Sequence, residues 1–503
     1  MTAPLTALKA ALSEIHALEG ASHLLVWDQH THMPPGGEGA RGGHLAALKN
    51  VIHQRATSPE LGRLLEAAER HLPELDPDGD DSCLIRVARR DFERQTRIPS
   101  DYVGRFAEHS ADGFAAWSRA REANDFQLVR PFLERTVDLS REYSGFFPAA
   151  HVADPLIDHS DPGWTVATIT PLFSALREGL VPLVAAIGER PQPECGFLFG
   201  DFPERQQMAL SLKLAERIGY DTARGRLDLS LHPFSISFAV DDVRITTRVK
   251  TDDLTECLFS TLHEAGHGMY EQGIGAALDG TPLASGASSG VHESQSRLWE
   301  NLVGRSRPFW DFAWDELTTA FPAQLSGVGA DEFHRAINRV QPSLIRTDAD
   351  EVTYNLHVMM RFDLEIALLD GSLKVSDLPR AWAERIQSDL GVSPTGDADG
   401  ALQDVHWFCD HVGGAFQGYT LGNLMSAQFF AAAQAAHPNL AERIAEGDFA
   451  PLLGWLREHL HRHGRKFDDH RLIRDATGGD LAVTPFLDYL RAKYTPLYGL
   501  SGA

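Results

Sequence analysis

One stretch of this chain, GRLDLSLHPFSISFAVDDVRITTRVK at residues 225–250, alternates apolar with other residues, while apolar residues elsewhere recur at helical spacing. That contrast constrains the fold more than any other feature, because a period of two belongs to strands and a period near 3.6 to helices. Leu227, Leu229 and Leu231, then Ile236 and Phe238, then Val243, Ile245 and Val249 predict two or three short antiparallel strands. Leu5, Leu8, Leu12 and Ile15, then Leu48, Val51 and Ile52, and later Val358, Phe362, Ile366 and Leu369 predict helices. The expected fold is mainly α, a large helical body with one small antiparallel sheet.

The helix after the sheet carries FSTLHEAGHGMYEQG, residues 259–273. Asp253 and Glu256 suggest a capping box, Leu254, Leu258, Leu262, Ala265 and Met269 form one stripe, and Gly273 marks the end. His263 and His267 then stand one turn apart on one face, where two imidazoles can hold one ion about 2.0 to 2.1 Å away. Glu264 between them is placed to act on a water at that ion as general base.

A third ligand is required, and Glu293, in GVHESQSRLWEN, lies at the remove used by His2Glu zinc peptidases. Glu300 is the competing carboxylate and fits better as an acceptor behind a ligand imidazole. The HExxHxxGxxH pattern is excluded, since Tyr270 stands where its glycine belongs and Gly273 where its third histidine belongs. Two histidines and a carboxylate leave a position open for water, so metal-assisted peptide hydrolysis is the expected chemistry, with one divalent ion per chain, Zn2+ on this donor set. The other histidine groups, HTH at 30–32 and HLHRH at 459–463, lack an acidic partner at ligand spacing and are expected to be solvated or packed.

Length and charge narrow the class. The 503 residues, 43% hydrophobic and 23% charged, suffice for a large core, and no linker, low-complexity tract or repeat divides them. The reading is one catalytic unit over 1–503, a single body or two lobes around a groove. A formal net charge of -24 opposes nucleic acid and anionic membranes as partners, and no run of about 18 apolar residues is evident. Four dispersed cysteines and an amphipathic start without a signal core lead to a cytoplasmic expectation.

Six blocks occur in a fixed order: HPF at 232–234, DVRIT at 242–246, HEAGH, HESQ at 292–295, IRTDAD at 345–350 and GALQDVHW at 400–407, with WDQHTHMPPGG near Trp27. In these the chain resembles the carboxypeptidase Taq family of zinc metallocarboxypeptidases. The resemblance implies a mostly helical body with a deep groove like that of neurolysin and angiotensin-converting-enzyme-type peptidases, a homodimer, and removal of single residues from the free carboxyl termini of peptides with zinc or cobalt. It assigns the ligands to His263, His267 and Glu293 and the base to Glu264.

A carboxypeptidase must hold a free carboxylate, which suits a bidentate guanidinium. Arg244 of DVRIT and Arg346 of IRTDAD are the candidates, Arg346 preferred. The alternative for each is pairing with a neighbour, Asp242 for Arg244 and Asp348 or Asp350 for Arg346. His406 and Tyr419 are the candidate oxyanion donors, with Asp404 as an orienting group. After Trp407 the chain departs from the family pattern: HWFCDHVGGAFQGYTLGN replaces a segment similar to HWSxGxFGYFPTYxLGN. Gly413, Gly414 and Gly418 in this loop suggest a mobile lid. That departure alone supports a peptide-binding scaffold with weakened catalysis; a helical zinc oligopeptidase of other specificity is the remaining rival.

Overall fold

The computed structural model describes residues 3–500. Helices build most of it. The first, Ala3–Thr31, buries Leu5, Leu8, Leu12 and Ile15 as its periodicity requires. The stripe of Leu48, Val51 and Ile52 is different: on the helix Glu38–Ala56 only Ala56 is buried, and Val51 is exposed.

The sheet has three strands, β1 (Leu227–Leu229), β2 (Ser235–Ala239) and β3 (Asp242–Thr247), in the order β1-β3-β2. β2 and β3 form the expected antiparallel hairpin, with an irregularity between Ser237 and Ala239, but β1 lies parallel to β3. The sheet is therefore mixed and not antiparallel. Alternation fixes which residues share a face and is silent on strand order; here β3 inserts between the other two, and its Val243 and Ile245 become fully buried.

The HEAGH helix, Leu254–Gln272, starts at Asp253, whose carboxylate accepts from the Thr255 N–H at 2.8 Å. The anticipated capping box does not form, because Glu256 turns back to Arg248 and to Lys250 at 3.3 Å. Leu254, Leu258, Leu262, Ala265 and Met269 are all buried, and the helix ends before Gly273. Gly266 permits a backbone-to-backbone crossing: a Cβ there would lie 2.7 Å from the Gln295 carbonyl oxygen on the next helix, Ser289–Arg297. Gly422, on the helix Gln417–Ala436, makes room on the other side for the Glu293 side chain, whose Cβ and Cγ would both lie 2.8 Å from a Cβ there. The helix Ser289–Arg297 is capped by Ser288 and continues as a wide π-helical segment, Leu298–Val303.

The buried apolar residues form two clusters. The larger runs from Tyr102 to Leu500; the smaller joins Leu5, Leu8, Leu12, Leu61, Leu65 and Leu84 to Val240, Ile274 and Leu283. The amino-terminal helices are thus tied to the segment just past the HEAGH helix. One helix, Val166–Gly188, is long and apolar enough by length and composition to cross a membrane, which the sequence reading overlooked. One face of it, including Phe173, Leu176 and Leu180, packs into the larger cluster, and its Arg177 pairs with Asp363 at 2.7 Å and Asp389 at 3.2 Å.

Candidate metal centre

Among the described residues, one group has the donors and closeness of a metal site: His263, His267 and Glu293, whose ligand atoms all lie within 4.8 Å of one another. Glu293 Oε2 is 3.6 Å from His263 Nε2 and 3.5 Å from His267 Nε2. Ligands about 2.1 Å from a tetrahedral centre stand roughly 3.4 Å apart, so the spacing fits such an ion, and two imidazole nitrogens with one carboxylate oxygen form a recognised donor set for it.

The groups behind each ligand fix its chemistry. His263 directs Nδ1 to Glu300 Oε2 at 2.9 Å, leaving the Nε2 lone pair for an ion. His267 Nδ1 lies 2.6 Å from His292 Nδ1, and His292 Nε2 lies 2.9 Å from Glu271 Oε1. A consistent proton assignment has His267 Nδ1–H donating to His292 and His292 Nε2–H donating to Glu271, which again frees Nε2 of the ligand. Arg297 donates to the second oxygen of Glu293 at 2.7 Å and to Glu300 at 3.3 Å, with its guanidinium 4.4 Å over the Tyr354 ring.

Burial opposes charge on Glu293, yet Arg297 and His263 hold its carboxyl well below the usual range. Glu300 is likewise pulled down to about 2 by Arg297 and His263 against burial. Burial lowers His267 to about 3, which keeps it neutral, as a ligand must be. Glu264 is buried without a cationic partner at bonding distance, and burial raises its carboxyl to about 7, the range of a general base or acid near neutrality.

Sequence reasoning expected Glu300 behind an imidazole, and it does lie against His263 Nδ1, but nothing was assigned to Arg297, Glu271 or His292. The i+4 spacing of Arg297 from Glu293 was the available signal. Glu300→Gln should weaken metal retention by about ten- to a hundredfold, because His263 then loses the carboxylate that fixes its tautomer. Competition with a chromogenic chelator measures this, and retention like that of the parent would free Glu300 of that role.

The other expected residues divide. Arg346 is buried; its Nε and Nη2 donate to Asp404 Oδ1 at 3.2 and 2.9 Å, and its Nη1 donates to the Tyr354 hydroxyl at 3.2 Å. Asp404, and neither Asp348 nor Asp350, is its partner. Arg361 donates to the other Asp404 oxygen at 2.6 Å, so one carboxylate serves two guanidinium groups and the buried cluster keeps an excess positive charge. The Arg346 guanidinium is 5.4 Å from the Tyr419 ring. Burial raises the Tyr419 hydroxyl to about 12, so it stays a donor. His406 Nδ1 stands 3.9 Å from Asp404 and has no hydrogen-bond partner. These groups therefore gather on the Arg297 flank of the ligands.

Arg244 is elsewhere engaged. It forms a one-to-one pair with Asp242, two bonds of 2.8 Å, and lies 4.4 Å from the Trp27 ring and 4.8 Å from Phe238. No contact among the described residues joins it to Arg346.

The loop after Trp407 is packed against the body of the protein. Phe408, Val412 and Phe416 are buried, and the Val412 N–H donates to Ser140 at 2.9 Å. His411 bonds Tyr102 at 2.8 Å and stacks on Phe106 at 4.0 Å. Gly413 and Gly414 have φ of 96° and 85°, and a Cβ on Gly414 would lie 2.2 Å from the Leu156 carbonyl oxygen. These glycines serve tight packing. The remaining histidine groups are packed or solvated as expected: His461 bonds Gln295 at 2.8 Å and His32 lies 3.2 Å from Asp228.

The family model of the carboxypeptidase Taq (M32) metallopeptidases matches residues 7–494. The chain belongs to the carboxypeptidase Taq family. Its curated relatives include thermostable carboxypeptidase 1 of Thermus thermophilus, 41% identical over 95% of each chain, and carboxypeptidase 1 of Bacillus subtilis, 35% identical over 97% of each. Among solved structures, the M32 carboxypeptidase from Deinococcus radiodurans is 47% identical, with a TM-score of 0.97 over 99% of this chain and all of that one. The Pyrococcus furiosus carboxypeptidase structure is 30% identical, with a TM-score of 0.94 over 98% and 99%. As a carboxypeptidase Taq member, the protein is a metal-dependent peptide hydrolase that requires a divalent ion.

Proposed function

We propose that this protein removes single residues from the carboxyl termini of peptides, with Glu264 as general base, Arg346 as the anchor of the substrate carboxylate and one divalent ion, Zn2+ or Co2+, held by His263, His267 and Glu293. The observation that carries the proposal is the pairing of that ligand set with a buried excess of positive charge at Arg346, Arg361 and Asp404 on one flank. When bound, the ion supplies Lewis acidity, polarising the scissile carbonyl and acidifying water.

The chain's own groups do the rest. A guanidinium has five N–H donors; three of Arg346 are used by Asp404 and Tyr354, and the other two suit a carboxylate. The Glu264 carboxylate takes a proton from the attacking water and returns it to the departing amine. Tyr419 and His406, both half-buried, are the proposed donors to the developing oxyanion, which a positioned hydroxyl or imidazole stabilises. Arg244, neutralised by Asp242, is less suited to hold a second carboxylate.

The protein is proposed to work as one catalytic unit over 1–503, as a homodimer, in a reducing compartment such as the cytoplasm, which suits its four free cysteines. Metal-loaded protein incubated with an amino-blocked peptide should release carboxyl-terminal residues one by one, as read by mass. Internal cuts would favour an oligopeptidase, and intact peptide a binding scaffold.

A further inference from the structure

A cavity of about 450 Å3 adjoins the metal cluster, within the roughly 300 to 1,000 Å3 of small-ligand sites. His292, bonded to His267, is one of its walls, as is Glu271; Arg346, Tyr354 and Tyr419 are not. The ligand set thus has two flanks. The carboxylate end of a peptide fits the Arg346 side, so the chain on the amino side of the cut bond runs toward this cavity.

Most charged and titratable groups of the cavity are matched; His16 and Glu19 have no hydrogen-bond or ion-pair partner among the described residues. Arg465 holds Asp91 through two bonds, 2.9 and 3.0 Å. Glu271 accepts from His292 and from the Gly286 N–H at 3.0 Å. His23 bonds the Ser237 carbonyl oxygen of β2 at 3.1 Å. Glu19, projecting from the first helix into the same space, makes no hydrogen bond or ion pair with any described residue, although His16 and His23 lie near it. Burial raises its carboxyl above the ordinary range, with His16, His23 and Arg465 nearby acting in the opposite direction.

We propose that this cavity is a subsite for a cationic group of the peptide, amino-terminal to the bond that is cut, with Glu19 as the counter-ion. The proposal rests on the carboxypeptidase reading above. The cation has two possible sources, a lysine or arginine side chain or the α-ammonium of a short peptide, and both offer the same N–H donors to a carboxylate.

The test uses amino-acetylated peptides of one length that differ only in a single lysine moved stepwise away from the cut bond, each with a glutamine counterpart. At one position kcat/KM for lysine should exceed that for glutamine by about tenfold, as expected of a partly buried charged hydrogen bond. In Glu19→Gln, which keeps the side chain's shape, that ratio should fall to near one, and in Glu19→Lys a glutamate-bearing peptide should become the better substrate. A preference for unblocked over acetylated short peptides that vanishes in Glu19→Gln assigns the cation to the α-ammonium. Ratios near one at every position with no advantage of a free amine, or a preference that survives Glu19→Gln, overturn the proposal. If no peptide is cleaved, the carboxypeptidase reading has failed instead, and calorimetric titration of the same peptides still decides: lysine should bind about tenfold tighter than glutamine only while Glu19 is present, and equal binding overturns the subsite.

Discussion

Glu264→Gln should retain its divalent ion and lose roughly 100- to 10,000-fold in turnover, the contribution of a positioned general base. Glutamine has the shape of glutamate, and Glu264 makes no hydrogen bond on which the helix depends, so the ligands His263 and His267 should stay in place. Elemental analysis and turnover on one sample separate the two effects. Unimpaired turnover would remove Glu264 from the mechanism. The sign of the pH dependence follows from the same group. A base must be deprotonated, so kcat/KM should fall as pH drops through its pKa. Burial sets that value at about 7 in the chain itself, and a neighbouring cation lowers it, which puts the acid limb below neutrality. In Glu264→Gln that limb should disappear.

Arg346→Ala should raise KM by about ten- to a hundredfold, the worth of charged hydrogen bonds of about 1.5–3 kcal/mol. It should also make amidated and free carboxyl termini nearly equal as substrates. With Arg346 gone, Asp404 is left with Arg361 alone and the excess positive charge vanishes. Because Arg346 is buried and bonded to Asp404 and Tyr354, Arg346→Lys is the companion variant: it keeps the charge but not the fork, and should show an intermediate preference. An unchanged preference for free termini in both folded variants would exclude Arg346 as the anchor. Retention of the parent's preference by Arg244→Lys would agree with the neutral, stacked Asp242 pair seen at that position.

The grouping of His263, His267 and Glu293 was legible because its parts are local: a four-residue spacing on one helix, and a carboxylate on the next. The helical character was legible for the same reason, since a repeat near 3.6 is written into short windows. What depends on distant chain was not. β1 lies parallel to β3, a consequence of which strand slots into the middle, and alternation is blind to that. Glu256 fitted a capping box until Arg248 and Lys250, brought beside it by the turn from β3, took its carboxylate. Asp404 is 58 positions from Arg346 and 43 from Arg361, so their sharing of it follows only from the fold. The loop glycines were read as freedom of movement, whereas Gly413 and Gly414 sit where the backbone presses against Leu369 and Leu156. Composition identifies glycine; only packing says whether it loosens or tightens a segment.

The crossings at Gly266 and Gly422 carry a consequence for altering the enzyme. Because the HEAGH helix meets the helix Ser289–Arg297 through main chain at Gly266, and Gly422 meets the Cβ and Cγ of Glu293 itself, the spacing of His263, His267 and Glu293 depends on both glycines. A methyl at Gly266 would act as a wedge between the two helices without touching His263, His267 or Glu293, whereas one at Gly422 would press on Glu293 directly. Exchanging the donor side chains alone would leave that helix spacing unchanged.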